Sequence, residues 1–162
     1  VQVMGVDLSE EMLAVARRKV EARGLDSRIV LERGDAEHLE VADASVDAAT
    51  VAFGVRNFGD LAAGLRELAR TIRPGGKVVI LEFSRPRNRV FRALYEFYSY
   101  KILPRIGGLV SRDKRAYEYL PASVGEFPAP AEFLGMMEKA GFRNCRAKSQ
   151  SCGIAQIYIG ER

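Results

Sequence analysis

Residues 77–83 read Lys-Val-Val-Ile-Leu-Glu-Phe and are apolar on nearly every position rather than on every second one. A strand with one wet face alternates. A run that is apolar throughout belongs to a strand covered on both faces, such as a central strand of a parallel sheet. Three shorter runs precede it: Val1 to Val6, ending at Asp7; Ile29 to Leu31, stopped by Gly34-Asp35; and about Val46 to Phe53. Between the strands lie stretches with helical spacing. Met12, Leu13, Ala16 and Val20 mark one helix, with Ser9 as its cap, Glu10 and Glu11 in its first turn and Gly24 at its end. Asp60 begins another, with Leu61, Leu65, Leu68, Ala69 and Ile72 on one stripe and Pro74-Gly75-Gly76 as its breaker. Strands alternating with helices predict an α/β fold with a mostly parallel sheet.

The last third completes that pattern differently. A helix is expected over Ala131 to Ala140, closed by Gly141, then strands near Arg143 to Ser149 and Ile154 to Ile159. With only a short break around Cys152-Gly153 between them, these two strands read as an antiparallel hairpin. The chain's 162 residues are one domain's worth. The stretch 85–130 is too long for an ordinary connection and reads as a helical and loop insertion that carries function.

That insertion also holds the charge. Arg85 to Arg115 contains nine basic residues against two acids, more than the whole net charge of +4. The basic character therefore belongs to one surface, and its interleaved Phe91, Leu94, Tyr95, Tyr98 and Ile102 fit a helix resting on anionic headgroups as well as one packed on the sheet. Nothing else suggests nucleic acid. Cys145 and Cys152 are seven apart and match no metal or redox spacing, and His38 is the single histidine, so no metal site and free thiols in a reducing cytoplasm are expected. No apolar run approaches the ~18 residues of a membrane helix.

The chemistry sits at strand ends. Asp7 closes the first strand, where a carboxylate can take both ribose hydroxyls of a nucleotide; capping of the next helix is the alternative. Asp35 and Ala36 end the second, placed for an adenine amino group and ring nitrogen, or else a simple Gly-Asp turn. After the third strand comes Phe53-Gly54-Val55-Arg56-Asn57-Phe58, whose Arg-Asn pair faces the same crevice and can hold an oxygen-bearing ring.

Together with these, the segments GVDLSEEML, GDAEHL, AFGVRNF, IRPGG, VVILEFSRP, YSYKILPRIGGLVSRD, AYEYLPASV and FPAPAEF run along nearly the whole chain. The sequence resembles the ubiquinone/menaquinone biosynthesis C-methyltransferase family, within the class I S-adenosylmethionine-dependent methyltransferases. The resemblance implies a Rossmann-like fold, S-adenosylmethionine as cofactor, and C-methylation of a prenylated hydroquinone. It implies cofactor contacts at Asp7, Asp35, Ala36 and Ala52, and Arg56 and Asn57 beside the quinol. It further implies that 85–130 covers the substrate and that the protein works in the cytoplasm, at the inner membrane face where that segment makes contact; Tyr117 and Tyr119 are candidates for closing the pocket, with aromatic packing the alternative role for at least one of them.

The family's glycine-rich first motif would precede Val1, so the resemblance implies a domain truncated by roughly 70 residues or more. The strands ending at Asp7 and Ala52 would then lack a shared neighbour, each with an open edge; a monomer is expected only if these two strands pair directly with each other, and otherwise homodimerisation through the gap or aggregation. A methyltransferase for another phenolic acceptor and a non-catalytic binding or scaffold domain stand as alternatives.

Overall fold

Ser9 starts the first helix as expected, its Oγ accepting the Met12 N–H at 3.3 Å. In the computed structural model, which describes residues 1–86, 93, 119 and 123–162, this helix is α1 (Glu10–Glu21) and lies between strands β1 (Val3–Asp7) and β2 (Ile29–Arg33). There follow β3 (Val46–Ala52), α2 (Leu61–Thr71), β4 (Ile72–Phe83), α3 (Pro130–Lys139), β5 (Arg143–Gln150) and β6 (Ala155–Glu161). Gly24 adopts a φ of +61°, the left-handed conformation that ends the chain's run out of α1.

The strands form two sheets. β1 pairs in parallel with β2, from Val3 opposite Ile29 to Asp7 opposite Arg33. The other sheet has the order β3-β4-β6-β5, with β3 parallel to β4 and both β4–β6 and β5–β6 antiparallel. The antiparallel closing hairpin is present, and β6 inserts it beside β4. The larger sheet is therefore mixed, as parallel strands closed by an antiparallel hairpin require. Among the described residues β1 and β3 share no ladder.

The core lies on the larger sheet. Leu65, Leu68 and Ala69 of α2 and Phe133 and Met137 of α3 pack on Val78, Ile80 and Tyr158, all buried. Phe133 meets the Tyr158 ring edge-on at 4.6 Å. The smaller sheet departs from expectation. An apolar run such as Val1 to Val6 is expected in a covered strand, yet in β1 Val3 is 47% and Met4 45% exposed, and Val30 on β2 is 51% exposed. Of α1 only Leu13 is buried, so that helix leaves much of the two-stranded sheet uncovered.

A second correction concerns Pro74-Gly75-Gly76. This segment does not separate helix from strand. α2 already ends at Thr71, and Ile72 is extended, at ψ 132°. Pro74 disfavours the helical region at Arg73 before it, so the helix cannot run on to the glycines. Gly75, at φ +81°, and Gly76 exchange main-chain bonds of 2.9 Å with Arg162, which makes them part of β4. The insertion 85–130, including the basic face at 85–115 and Tyr117, lies largely outside the described residues. Among those described, no helix is long and apolar enough to cross a membrane.

Candidate functional site

The carboxyl ends of parallel strands leave unpaired main-chain groups and loops at one edge, where open α/β sheets bind their ligands. Asp7 is the last residue of β1. One of its oxygens, Oδ1, accepts the Ser9 N–H at 2.8 Å, which stiffens the turn into α1, and the residue remains exposed. Gly34 N–H donates to the Asp7 carbonyl at 3.2 Å, so the chain leaves β2 beside the end of β1. Asp35 and Ala36 follow at once. Asp35 Oδ1 accepts the Glu37 N–H at 2.9 Å, and its Oδ2 lies 3.9 Å from Nδ1 of the exposed His38.

The third strand end carries the other half. β3 finishes at Ala52, opposite Leu81 of β4, and Ala52 is exposed. Phe53 then turns through a φ of +57°, a conformation that a bulky residue adopts only when its surroundings enforce it. Its ring stacks on Phe83 at 4.4 Å between centroids, and its N–H donates to the Leu81 carbonyl at 2.8 Å, so both its side chain and its main chain are tied to β4. A short 3-10 turn, Val55–Asn57, follows and sets Arg56 against the sheet.

Arg56 is held from several sides. Its Nη1 donates to Glu82 Oε1 at 2.9 Å and also to the Phe53 carbonyl, and its Nε donates to Ser123 Oγ at 3.3 Å. The Arg56 main-chain N–H donates to Glu82 Oε2 at 3.2 Å. Its guanidinium also lies 5.5 Å from the centre of the Phe83 ring. The Arg56 side chain is 10% exposed and Glu82 0%. Nη2 takes part in none of these bonds. Asn57 is exposed, and its Oδ1 accepts the Tyr119 hydroxyl at 2.8 Å.

Two ties bring the halves together. Glu37 Oε1, two residues beyond Asp35, accepts the Gly59 N–H, two residues beyond Asn57, at 2.6 Å. Farther along the same loop, Glu67 of α2 accepts the Leu39 N–H at 2.8 Å, while Arg70 donates to the Leu39 and Val41 carbonyls at 2.9 and 2.7 Å. The Arg70 guanidinium is the chief cause holding the Glu67 carboxyl below the usual carboxylate range, and Glu67 in turn raises Arg70. Beneath the site, burial and then the charge of Glu82 push the Tyr158 hydroxyl up to about 12. Among the described residues that buried hydroxyl has no hydrogen-bond partner.

The sequence-predicted residues thus fall into two groups at strand ends, Asp7, Asp35 and Ala36 on one sheet and Ala52, Arg56 and Asn57 on the other. Sequence reasoning passed over Glu82, Glu37, Glu67 and Arg70. Glu82 did carry a signal: an acid inside an otherwise apolar strand must find a buried partner or lose its charge. The other three look like ordinary solvated charges, and only the packing of α2 on the loop gives them partners.

The chain matches the model of the ubiE/COQ5 methyltransferase family over residues 1–162. It is 46% identical over 162 residues to the ubiquinone/menaquinone biosynthesis C-methyltransferase UbiE of Geobacter sulfurreducens, covering all of this chain and 63% of that protein. It is 45% identical over 161 residues to the demethylmenaquinone methyltransferase of Thermus thermophilus, covering 99% of this chain and 72% of the relative. The chain therefore spans somewhat less than two thirds of the Geobacter protein's length. Among solved structures, a SAM-dependent methyltransferase from Aquifex aeolicus superposes with a TM-score of 0.68 at 19% identity, covering 98% of this chain and 68% of that one. The cyclase SpnF superposes at 0.60 with 17% identity, covering 100% and 67%. These two likenesses speak to the fold alone, a class I methyltransferase-like α/β architecture with a mixed sheet. On the family match and the identity to its members, the chain belongs to the ubiE/COQ5 methyltransferase family.

Proposed function

We propose that the protein methylates a ring carbon of a prenylated hydroquinone, with S-adenosylmethionine as the methyl donor. The observation that carries this reading is the Glu37–Gly59 bond, which ties the loop of Asp35 to the loop of Asn57. A nucleoside-type group and an aromatic oxygen acceptor can then be served at one edge. The residues present fit the cofactor: two carboxylates at neighbouring strand ends, each with only one oxygen engaged by a main-chain N–H, are donor-seeking groups of the kind a ribose and an adenine amino group satisfy. Asp7 would hold the ribose hydroxyls, Asp35 and Ala36 the adenine, and Ala52 would border the same ligand. When bound, the cofactor supplies an electrophilic methyl group on a sulfonium.

The chain's own task is orientation and charge. An aromatic carbon becomes a nucleophile when a ring hydroxyl is ionised, because the negative charge is shared with the ring. Arg56, through Nη2, would stabilise that oxygen electrostatically. Asn57 would fix its direction, and Tyr119 steadies Asn57. Holding the reacting carbon in line contributes up to roughly 7–11 kcal/mol of the barrier. The relatives' names support a quinone-type acceptor, one naming demethylmenaquinone and the other the ubiquinone and menaquinone pathways. Contact with a membrane surface through 85–115 and work at the cytoplasmic face belong to the same proposal.

The test uses the full-length protein. Methyl transfer to demethylmenaquinol should be measurable, and Asp7→Ala should weaken S-adenosylmethionine binding tenfold or more in calorimetry, since bonds to a charged group contribute roughly 1.5–3 kcal/mol each. Unchanged affinity would remove Asp7 from the cofactor site, and absence of transfer would overturn the reading.

A further inference from the structure

We propose that Glu82 is a positioning residue for Arg56: it anchors the guanidinium by one nitrogen, leaves Nη2 to the acceptor, and offsets the positive charge until an anionic acceptor oxygen arrives. The proposal rests on the methyl-transfer reading above and deepens its acceptor side.

Glu82 spends both of its oxygens on this. Oε1 accepts from Arg56 Nη1 at 2.9 Å and from the Phe83 N–H at 2.8 Å, and Oε2 accepts the Arg56 N–H at 3.2 Å. One carboxylate thus grips the Arg56 main chain and side chain together, which fixes the 3-10 turn as well as the guanidinium. Its full engagement and burial also leave it unsuited to taking a proton from the acceptor. Among the described residues, the titratable or charged groups around the pair are few. Tyr158 of β6 faces Glu82 with a neutral hydroxyl, and Tyr119 sits on Asn57. Ser123 and the Phe83 ring complete the surroundings of the guanidinium. No other ion pair to Arg56 occurs among the described residues. The Arg56–Glu82 pair is therefore the dominant charge feature of the floor, and it is neutral in sum.

A neutral floor has a measurable consequence. A lone buried cation would favour the ionised phenol strongly, whereas a compensated one favours it less. Removing the carboxylate charge should make acceptor ionisation easier while loosening its geometry. The experiment compares wild-type full-length protein, Glu82→Gln and Glu82→Asp, using saturating demethylmenaquinol and the pH profile of kcat, which reports ionisations within the bound complex. In Glu82→Gln the acid limb should move to lower pH by on the order of one unit, the usual size of a close charge effect, with kcat reduced. Glu82→Asp retains the charge on a shorter arm, so its acid limb should stay with the wild type while kcat falls and KM changes little. A Glu82→Gln limb that coincides with the wild type, or a Glu82→Asp limb that moves, would overturn the proposal. If Glu82→Gln fails to fold, Glu82→Asp decides by the same criterion. Wild-type protein that does not methylate the quinol would instead count against the reading of the function.

Discussion

Replacing Gly64 by alanine sets two well-measured effects against each other. Gly64 lies inside α2, where glycine costs roughly 0.8–1 kcal/mol relative to alanine through backbone entropy. On that ground alone Gly64→Ala should stabilise the protein. The structure says otherwise, because an added Cβ would stand 2.3 Å from Cδ2 and 2.5 Å from Cε2 of Phe58. Both distances fall an ångström or more short of ordinary carbon contact at about 3.5–4.0 Å. The atoms belong to a rigid ring packed against the core, so no flexible end can swing aside. Overpacking of this kind costs roughly 1–3 kcal/mol, which at its lower end cancels the helical gain and at its upper end leaves a net loss of about 2 kcal/mol; with two contacts this short the upper end is expected. For a chain of this size that is a fall in Tm of several degrees, at roughly 2–4 °C per kcal/mol. Phe58 directly follows Asn57, so the displaced ring should also disturb the turn that carries Arg56. The assay is calorimetric unfolding of wild type, Gly64→Ala, Phe58→Ala and the double variant. In the Phe58→Ala background the clash is gone, and Gly64→Ala should become neutral or stabilising. A Tm raised by the single change, or additive behaviour in the cycle, would refute the reasoning.

Tyr158→Phe should stabilise the fold by roughly 1–3 kcal/mol, because it deletes a buried hydroxyl that has no partner among the described residues. The wild-type hydroxyl titrates at about 12 in the fold against an ordinary 10.0. Its linked contribution is therefore fully present below pH 10 and lost as pH rises toward 12, so alkaline denaturation curves of the two proteins should diverge in that window; parallel curves would contradict it. Glu67 titrates below its ordinary 4.5, chiefly through its hydrogen bond from Arg70. Its contribution is present above pH 4.5 and lost as pH falls through the lower folded value. Hydrogen exchange, corrected for intrinsic rates, should show the Leu39 amide losing protection in that acid range, and Glu67→Gln should show the loss already at pH 7. Protection that does not respond to either change would mean that α2 does not hold this loop.

The strands, the helices and the closing hairpin were legible because each is written in local patterns. β4 is apolar on nearly every position, α2 repeats at helical spacing behind Asp60, and Ser9 and Gly24 mark the limits of α1 through capping and left-handed backbone. The acids at strand ends were legible for the same reason, since the end of an apolar run is visible in the sequence. Burial of β1 was not, because it depends on what covers a strand and not on how apolar the strand is. Likewise Pro74-Gly75-Gly76 announces a bend, but only the main-chain bonds with Arg162 decide that the bend belongs to a strand.

The site divides along the same line. Sequence alone placed Asp7, Asp35, Ala36 and Ala52 at strand ends and put Arg56 and Asn57 directly after one. It also displayed Glu82 within an apolar strand, without its partner. Tertiary structure decided that Glu82 closes on Arg56 across 26 positions and that Glu37 reaches Gly59 across 22. Helical and strand periodicities report only on neighbours within an element. A charge buried between elements is satisfied by a group whose proximity is set by sheet order and helix packing.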